Sequence, residues 1–199
     1  MICLFPSKEK AFAILHDAEH SNPGLWVGHS ITAACCAEKI AKACAMESEK
    51  AYVFGLLHDI GRKYGISHFG HIVDGYRYMM SLEYPEVARI CLTHSFARHK
   101  IEDYIGKFDV PACDIAEMKA VLRTIKYDEY DKLIQLCDCL SGPEGVVDMQ
   151  ERMRDVARRY GNYPQALRAE NQKLKEHFEM LSGKNIYEIV SENRALWKL

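Results

Sequence analysis

No apolar run in the chain approaches the roughly 20 residues that a membrane-spanning helix requires. The first residues, Met1 to Pro6, are too few for a secretory signal and are followed at once by Ser7-Lys8-Glu9-Lys10, so a cytoplasmic protein is expected. Strong charge of either sign is also missing. The formal net charge is −2, which gives no basis for a nucleic-acid or membrane-binding surface. Alternating strand patterns, internal repeats and low-complexity linkers are absent as well. Eight cysteines are many for 199 residues, yet they form no secreted-type framework. Cys35, Cys36 and Cys44 lie among alanines in a helical pattern and read as small apolar residues. The pair Cys137 and Cys139 has no second C-x-C to complete a zinc site, and reduced thiols follow from the expected compartment.

What is present is helical periodicity, with 48% hydrophobic and 27% charged residues, an ordinary globular composition. Ser7 is placed to cap a helix running to about residue 20, which Ser21-Asn22-Pro23-Gly24 breaks. A second helix sets Ala33, Ala34, Ala37, Ala41 and Cys44 on neighbouring turns, so another helix should approach closely. Ser48 is expected to cap a short, apolar helix over 51–60, with Gly61 ending it. Further helices are expected over 68–80, from Pro85 to about 95, from Pro111 to about 126 and over 128–140. Residues 96–110 should form a long loop with one turn. The tail divides at Gly161-Asn162-Tyr163-Pro164 and Ser182-Gly183 into helices over 146–160, 164–181 and 185–197. The expected architecture is all-α, a single domain over 1–199 with a core at about 25–142 and C-terminal helices at about 146–197.

Within that pattern the stretch Gly55-Leu56-Leu57-His58-Asp59-Ile60-Gly61-Arg62 is anomalous. An apolar segment ends in adjacent His and Asp, which are seldom buried without partners. Candidates to join them are His29 on the small-residue helix, His71 and His94 beside apolar helix faces, and Asp138 inside Leu136-Cys137-Asp138-Cys139-Leu140. Any one of these alone is more often a satisfied core residue than a ligand. Together, four imidazoles and two carboxylates suit iron, manganese, cobalt, nickel or zinc, and six such groups can hold two metals if one carboxylate bridges.

The order His29, His58-Asp59, Asp138 resembles the H…HD…D signature of the HD-domain metal-dependent phosphohydrolase superfamily, and His58-Asp59-Ile60-Gly61 is similar to its HDIG form. The likeness covers about residues 25–142. His71 and His94 resemble the two additional histidines of its six-ligand binuclear members, as in the small dinucleoside tetraphosphatases. His68, one helical turn from His71, competes with it. Gly75-Tyr76-Arg77 is out of place for the GYP motif of cyclic-dinucleotide phosphodiesterases, and Ser95 stands where those enzymes carry a second consecutive histidine. The spacing from His94 to Asp138 is also longer than in the tetraphosphatases.

The resemblance implies that His29, His58, Asp59 and Asp138 hold one metal, with Asp59 bridging to a second held by His71 and His94. Iron or manganese comes first as the metal pair, with zinc, nickel, cobalt and magnesium as alternatives. A metal-activated hydroxide would then attack a small phosphorylated substrate, a nucleotide among the candidates, with no nucleic acid or membrane as partner and self-association left open. Asp59 and Arg62 are the catalytic candidates, and Arg62, Lys63, His68 and Ser95 the candidates for touching substrate. Tyr76, Tyr78, Tyr84 and Trp26 read as core, and Arg152, Arg154, Arg158 and Arg159 as a solvated helix face. Two other readings compete: a mixed-valent di-iron oxygenase of the same superfamily, and a regulatory module that retains the metal or nucleotide site without catalysis.

Overall fold

The computed structural model describes residues 4–191. The chain is all-α, and the only strands among the described residues are two of two residues each. Ten helices follow in order: α1 (Lys8–Ser21), α2 (Leu25–Ala43), α3 (Ser48–Leu57), α4 (Gly70–Ser81), α5 (Pro85–Thr93), α6 (Ala112–Thr124), α7 (Glu129–Leu140), α8 (Met149–Tyr160), α9 (Gln165–Ser182) and α10 (Ile186–Ser191). Short 3-10 segments cover Ile60–Tyr64 and Ile101–Asp103. No helix is long and apolar enough to cross a membrane among the described residues.

The centre is the α2–α3 pair. Ala33, Ala34, Ala37 and Ala41 are fully buried on α2, and Gly55 of α3 faces them. A Cβ at Gly55 would stand 2.7 Å from the Ala34 Cα, so the two backbones touch without side chains between them. The alanine pattern anticipated this close packing. Around the pair, one apolar cluster takes residues from α1, α2, α3, α5 and α7 and also Met149, Met153, Leu174, Phe178, Ile186 and Ile189 of the C-terminal helices. A second cluster, built on Phe69, Ile72, Leu92, Phe96, Ile101 and Met118, seats α6 and the 96–110 loop against α4 and α5.

Caps explain most boundaries. Ser7 accepts a hydrogen bond from the Lys10 amide, and Asp128 forms a capping box with Asp131 at the start of α7. The first turn of α4 is served from a distance, as Asp109 accepts from the Gly70 amide at 2.9 Å and the His68 amide at 2.6 Å. The contact to Gly70 satisfies an N–H group that a helix start leaves open, and the contact to His68 fixes the chain just before the helix.

Several boundaries differ from the sequence expectation. Ser48 is the first residue of α3, and Glu47 holds the cap position without a side-chain bond. The helix over 146–160 begins only at Met149, because Ser141–Gly142 and Gly145–Val146 pair as a small antiparallel hairpin. The helix expected over 68–80 starts two residues later, behind the Asp109 contacts. For the helix expected over 185–197, the part beyond residue 191 lies outside the described residues.

Gly61 does not end α3. The helix stops at Leu57, and Gly61 sits inside the following 3-10 segment. Its function is clearance, since a Cβ there would stand 1.9 Å from the His71 carbonyl oxygen and 2.5 Å from the Gly75 nitrogen. Gly61→Ala must therefore push α4 away. Overpacking against backbone costs about 3 kcal/mol, which for a chain of this length is a fall in Tm of roughly 6–12 °C. Thermal unfolding followed by circular dichroism reads this directly, and a Tm within 2 °C of the native protein would contradict the tight contact.

Candidate metal centre

Helix ends deliver the histidines. His58 follows the last residue of α3 and His94 the last residue of α5, each still in αR conformation. The Nδ1–H of His58 donates to the Gly55 carbonyl at 2.7 Å, and that of His94 donates to the Cys91 carbonyl at 2.9 Å. Both carbonyls belong to the last turn, whose oxygens otherwise lack helical donors. His71, the second residue of α4, donates from Nδ1 to the His68 carbonyl. His29 of α2 donates from Nδ1 to the Ser141 carbonyl at 3.0 Å.

A carbonyl can only accept, so all four Nδ1 atoms carry the proton. In the neutral imidazole each Nε2 is then left with a lone pair, the form in which histidine ligates a metal. These Nε2 atoms converge with two carboxylates as two groups, five members buried and Asp138 half-buried. His29, His58 and Asp138 form one triad, Asp59, His71 and His94 the other, with the ligand atoms of each within 4.8 Å of one another. In the first, His29 Nε2 lies 3.0 Å from Asp138 Oδ1. In the second, Asp59 Oδ1 lies 3.2 Å from His71 Nε2 and 3.6 Å from His94 Nε2. The rings of His58 and His94 link the triads, with centroids 5.1 Å apart. The six residues chosen from the sequence are thus brought together.

The donors fit a divalent transition metal. His58 Nε2 is buried without a hydrogen-bond partner, an arrangement that costs free energy unless something accepts the lone pair. Burial lowers the His58 pKa, and burial with the nearby His58 ring pushes His94 down to about 3. Both are therefore neutral ligands near neutral pH. For Asp59, burial would raise the pKa, but the Arg62 guanidinium and the imidazoles of His71 and His58 hold it well below the carboxylate range. Asp138 is likewise held low against burial by His29, with smaller help from His58 and Arg152. Burial pushes the Cys139 thiol up to about 12 and the Cys137 thiol well above its ordinary value, so neither flanking cysteine is a thiolate.

The remaining candidates divide. Arg62 lines the cavity and donates from Nε to Asp59 Oδ2 at 2.6 Å. Ser95 also lines the cavity. Lys63 is not brought to it; its ammonium lies 4.0 Å from the Tyr78 ring centroid and 3.5 Å from Asp17. His68 supports His71 through its carbonyl, while its ring meets Tyr160 outside the cavity wall. Tyr76, Tyr78, Tyr84 and Trp26 pack half-buried against the main core.

The cavity of about 170 Å³ contains more than the sequence offered. Arg152 and Arg159 of α8 line it, with Tyr104 from the long loop, Tyr163 and Gln135. The reading of the α8 arginines as a solvated face is corrected for Arg152, which is half-buried because the chain after the hairpin folds α8 back over the triads, while Arg159 lines the cavity from an exposed position. Gln135 donates from Nε2 to the Thr93 carbonyl at 3.0 Å, which fixes the amide and leaves its buried Oε1 without a partner. Its position one turn before Asp138 on α7 was the available sequence signal.

A model of the family described as HD domain matches residues 26–142. No curated protein and no solved structure matches the chain.

If the triads hold metal, purified native protein carries it and ligand variants lose it. His58→Ala and Asp138→Ala should each cut bound metal at least twofold by elemental analysis, with helical circular dichroism retained. Native metal content in a folded His58→Ala protein would remove His58 from the ligand set.

Proposed function

The chain belongs to the HD domain family, and from that membership and its paired triads we propose that it is a metal-dependent phosphohydrolase. It would cleave a phosphoester or phosphoanhydride of a nucleotide or another small phosphorylated metabolite. The observation carrying this reading is the convergence of two buried N/O triads on one cavity with arginines in its wall. The proposed ligands are His29, His58 and Asp138 for one ion and Asp59, His71 and His94 for a second, with iron or manganese suited to the donors. Bound there, a divalent metal supplies Lewis acidity and a water acidified towards neutral pH.

The chain's own residues supply the rest. Arg62, anchored through Nε by Asp59, has guanidinium N–H groups left to donate to a phosphoryl oxygen, a geometry that suits phosphate. Asp59 thereby serves ligand and substrate group at once. Ser95 offers a hydroxyl at the cavity wall, and Gln135 Oε1 is an acceptor for a hydroxyl or a water. The four carbonyl contacts keep the imidazoles in place while charge at the site changes, so the surroundings need little rearrangement during reaction.

The test is a screen of phosphomonoesters, nucleotides and dinucleotides with protein loaded separately with manganese, iron and other divalent ions. Turnover of at least one class is expected. Loss of groups that merely orient ligands costs about 10–100-fold, so Asp59→Ala, which removes a ligand, should lower turnover by at least about 100-fold. A folded, metal-loaded protein inactive on the whole panel would refute the proposal. Substrate-dependent oxygen uptake by the iron form would replace hydrolysis with oxygenation.

A further inference from the structure

Helix α8 lies outside the segment shared with the family, yet it walls the cavity that contains both triads. Arg152, Met153, Val156, Arg159 and Tyr160 all line that cavity, and their spacing puts them on one face of the helix. Seven residues separate the two arginines, roughly 10 Å along the axis at 1.5 Å per residue.

The three guanidiniums at this cavity are differently engaged. Arg62 is held by buried Asp59 at 2.6 Å. Arg152 lies 4.0 Å from Asp138, beside the first triad. Arg159 pairs with Asp155 at 2.9 Å and lies over the Tyr160 ring, 5.5 Å from its centroid, and Arg158 shares that carboxylate at 3.7 Å. Two cations on one half-exposed carboxylate leave net positive charge, and such surface pairs exchange readily for a ligand. Asp103, the carboxylate of the cavity wall outside the triads, has its own cation in Arg98 at 3.6 Å. Between the arginines, Met153 and Val156 present no hydrogen-bonding group, and Tyr104 and Tyr163 add aromatic surface.

Along this wall Arg152 thus stands beside the first triad, and Arg159 about two turns further on, past Met153 and Val156. One phosphoryl group at the triads leaves the Arg158 and Arg159 cations sharing the single carboxylate of Asp155. We infer that the substrate carries a second anionic group, joined to the scissile phosphate by a short carbon segment and bound by Arg159 with support from Arg152. This inference rests on the phosphohydrolase reading above.

The experiment compares butyl phosphate with butane-1,4-diol bisphosphate on the metal-loaded full chain. The ratio of their kcat/KM values should favour the bisphosphate at least tenfold, mainly through KM. Arg159→Gln should reduce that ratio at least fivefold, and Arg159→Lys should restore part of it. Arg154→Gln, which removes an equal charge from an exposed position on the same helix, should leave the ratio in place. A native ratio near one, or an equal loss from Arg154→Gln, overturns the inference while leaving the hydrolase reading intact. If neither compound is turned over, calorimetric binding of the same pair decides separately. A bisphosphate preference lost in Arg159→Gln upholds the second-anion site without hydrolysis, and no preference overturns it.

Discussion

Four hydrogen bonds from imidazole Nδ1 to backbone carbonyl hold this site in order. Each fixes a tautomer and a ring plane, and together they leave four Nε2 lone pairs with nowhere to point but inward. At His58 and His94 the same bond closes the last turn of a helix. One side chain thus satisfies an orphan carbonyl and presents a ligand. Adjacent Asp59 follows from this geometry. Once His58 has left the helical ladder, the next residue turns to the opposite triad.

The relative placement of the triads depends on a second, polar constraint. Asp131 is fully buried and accepts from Arg89 at 2.6 Å, from Thr93 at 2.7 Å and from the Asp128 amide at 2.8 Å. Thr93 precedes His94, and its carbonyl receives Gln135 from one turn before Asp138. The network therefore ties the end of α5, with a ligand of one triad, to the helix carrying a ligand of the other. Gly61 adds a third restraint by letting the turn after Asp59 touch the backbone of His71. The three donors on Asp131 satisfy that carboxylate and stiffen the joint, and ångström-scale placement of ligands requires stiffness.

Much of this was legible in the sequence. Apolar spacing of 3.6 residues gave the helices, and the alanines of α2 gave the close α2–α3 approach. Six polar residues beside apolar faces gave the members of the two triads, since each lacked a local partner, whereas the family resemblance set Asp59 with His29, His58 and Asp138 as well as with His71 and His94. The misreadings share a cause. Gly61 looked like a helix stop because glycine permits positive φ, whereas its actual constraint comes from α4, which no local pattern encodes. Ser48 has a capping side chain, but the entering backbone puts Glu47 at the cap. Arg152 and Arg159 looked solvated because a helix's amphipathic pattern cannot say that its polar side will face a cavity built by residues far earlier in the chain. Lys63 was grouped with Arg62 by adjacency alone, and the 3-10 turn sends the two in different directions.

The bond from His29 to the Ser141 carbonyl joins residues 112 apart in the chain. During synthesis the first ligand is therefore made long before the group that orients it, and the triad closes only after α7 has been completed and docked. Contacts of such high separation come late in folding, after loop entropy has been overcome. If the triads hold metal, an ion arriving early would meet loose histidines with no preferred geometry, and selection among metals would belong to the finished fold and not to the nascent chain.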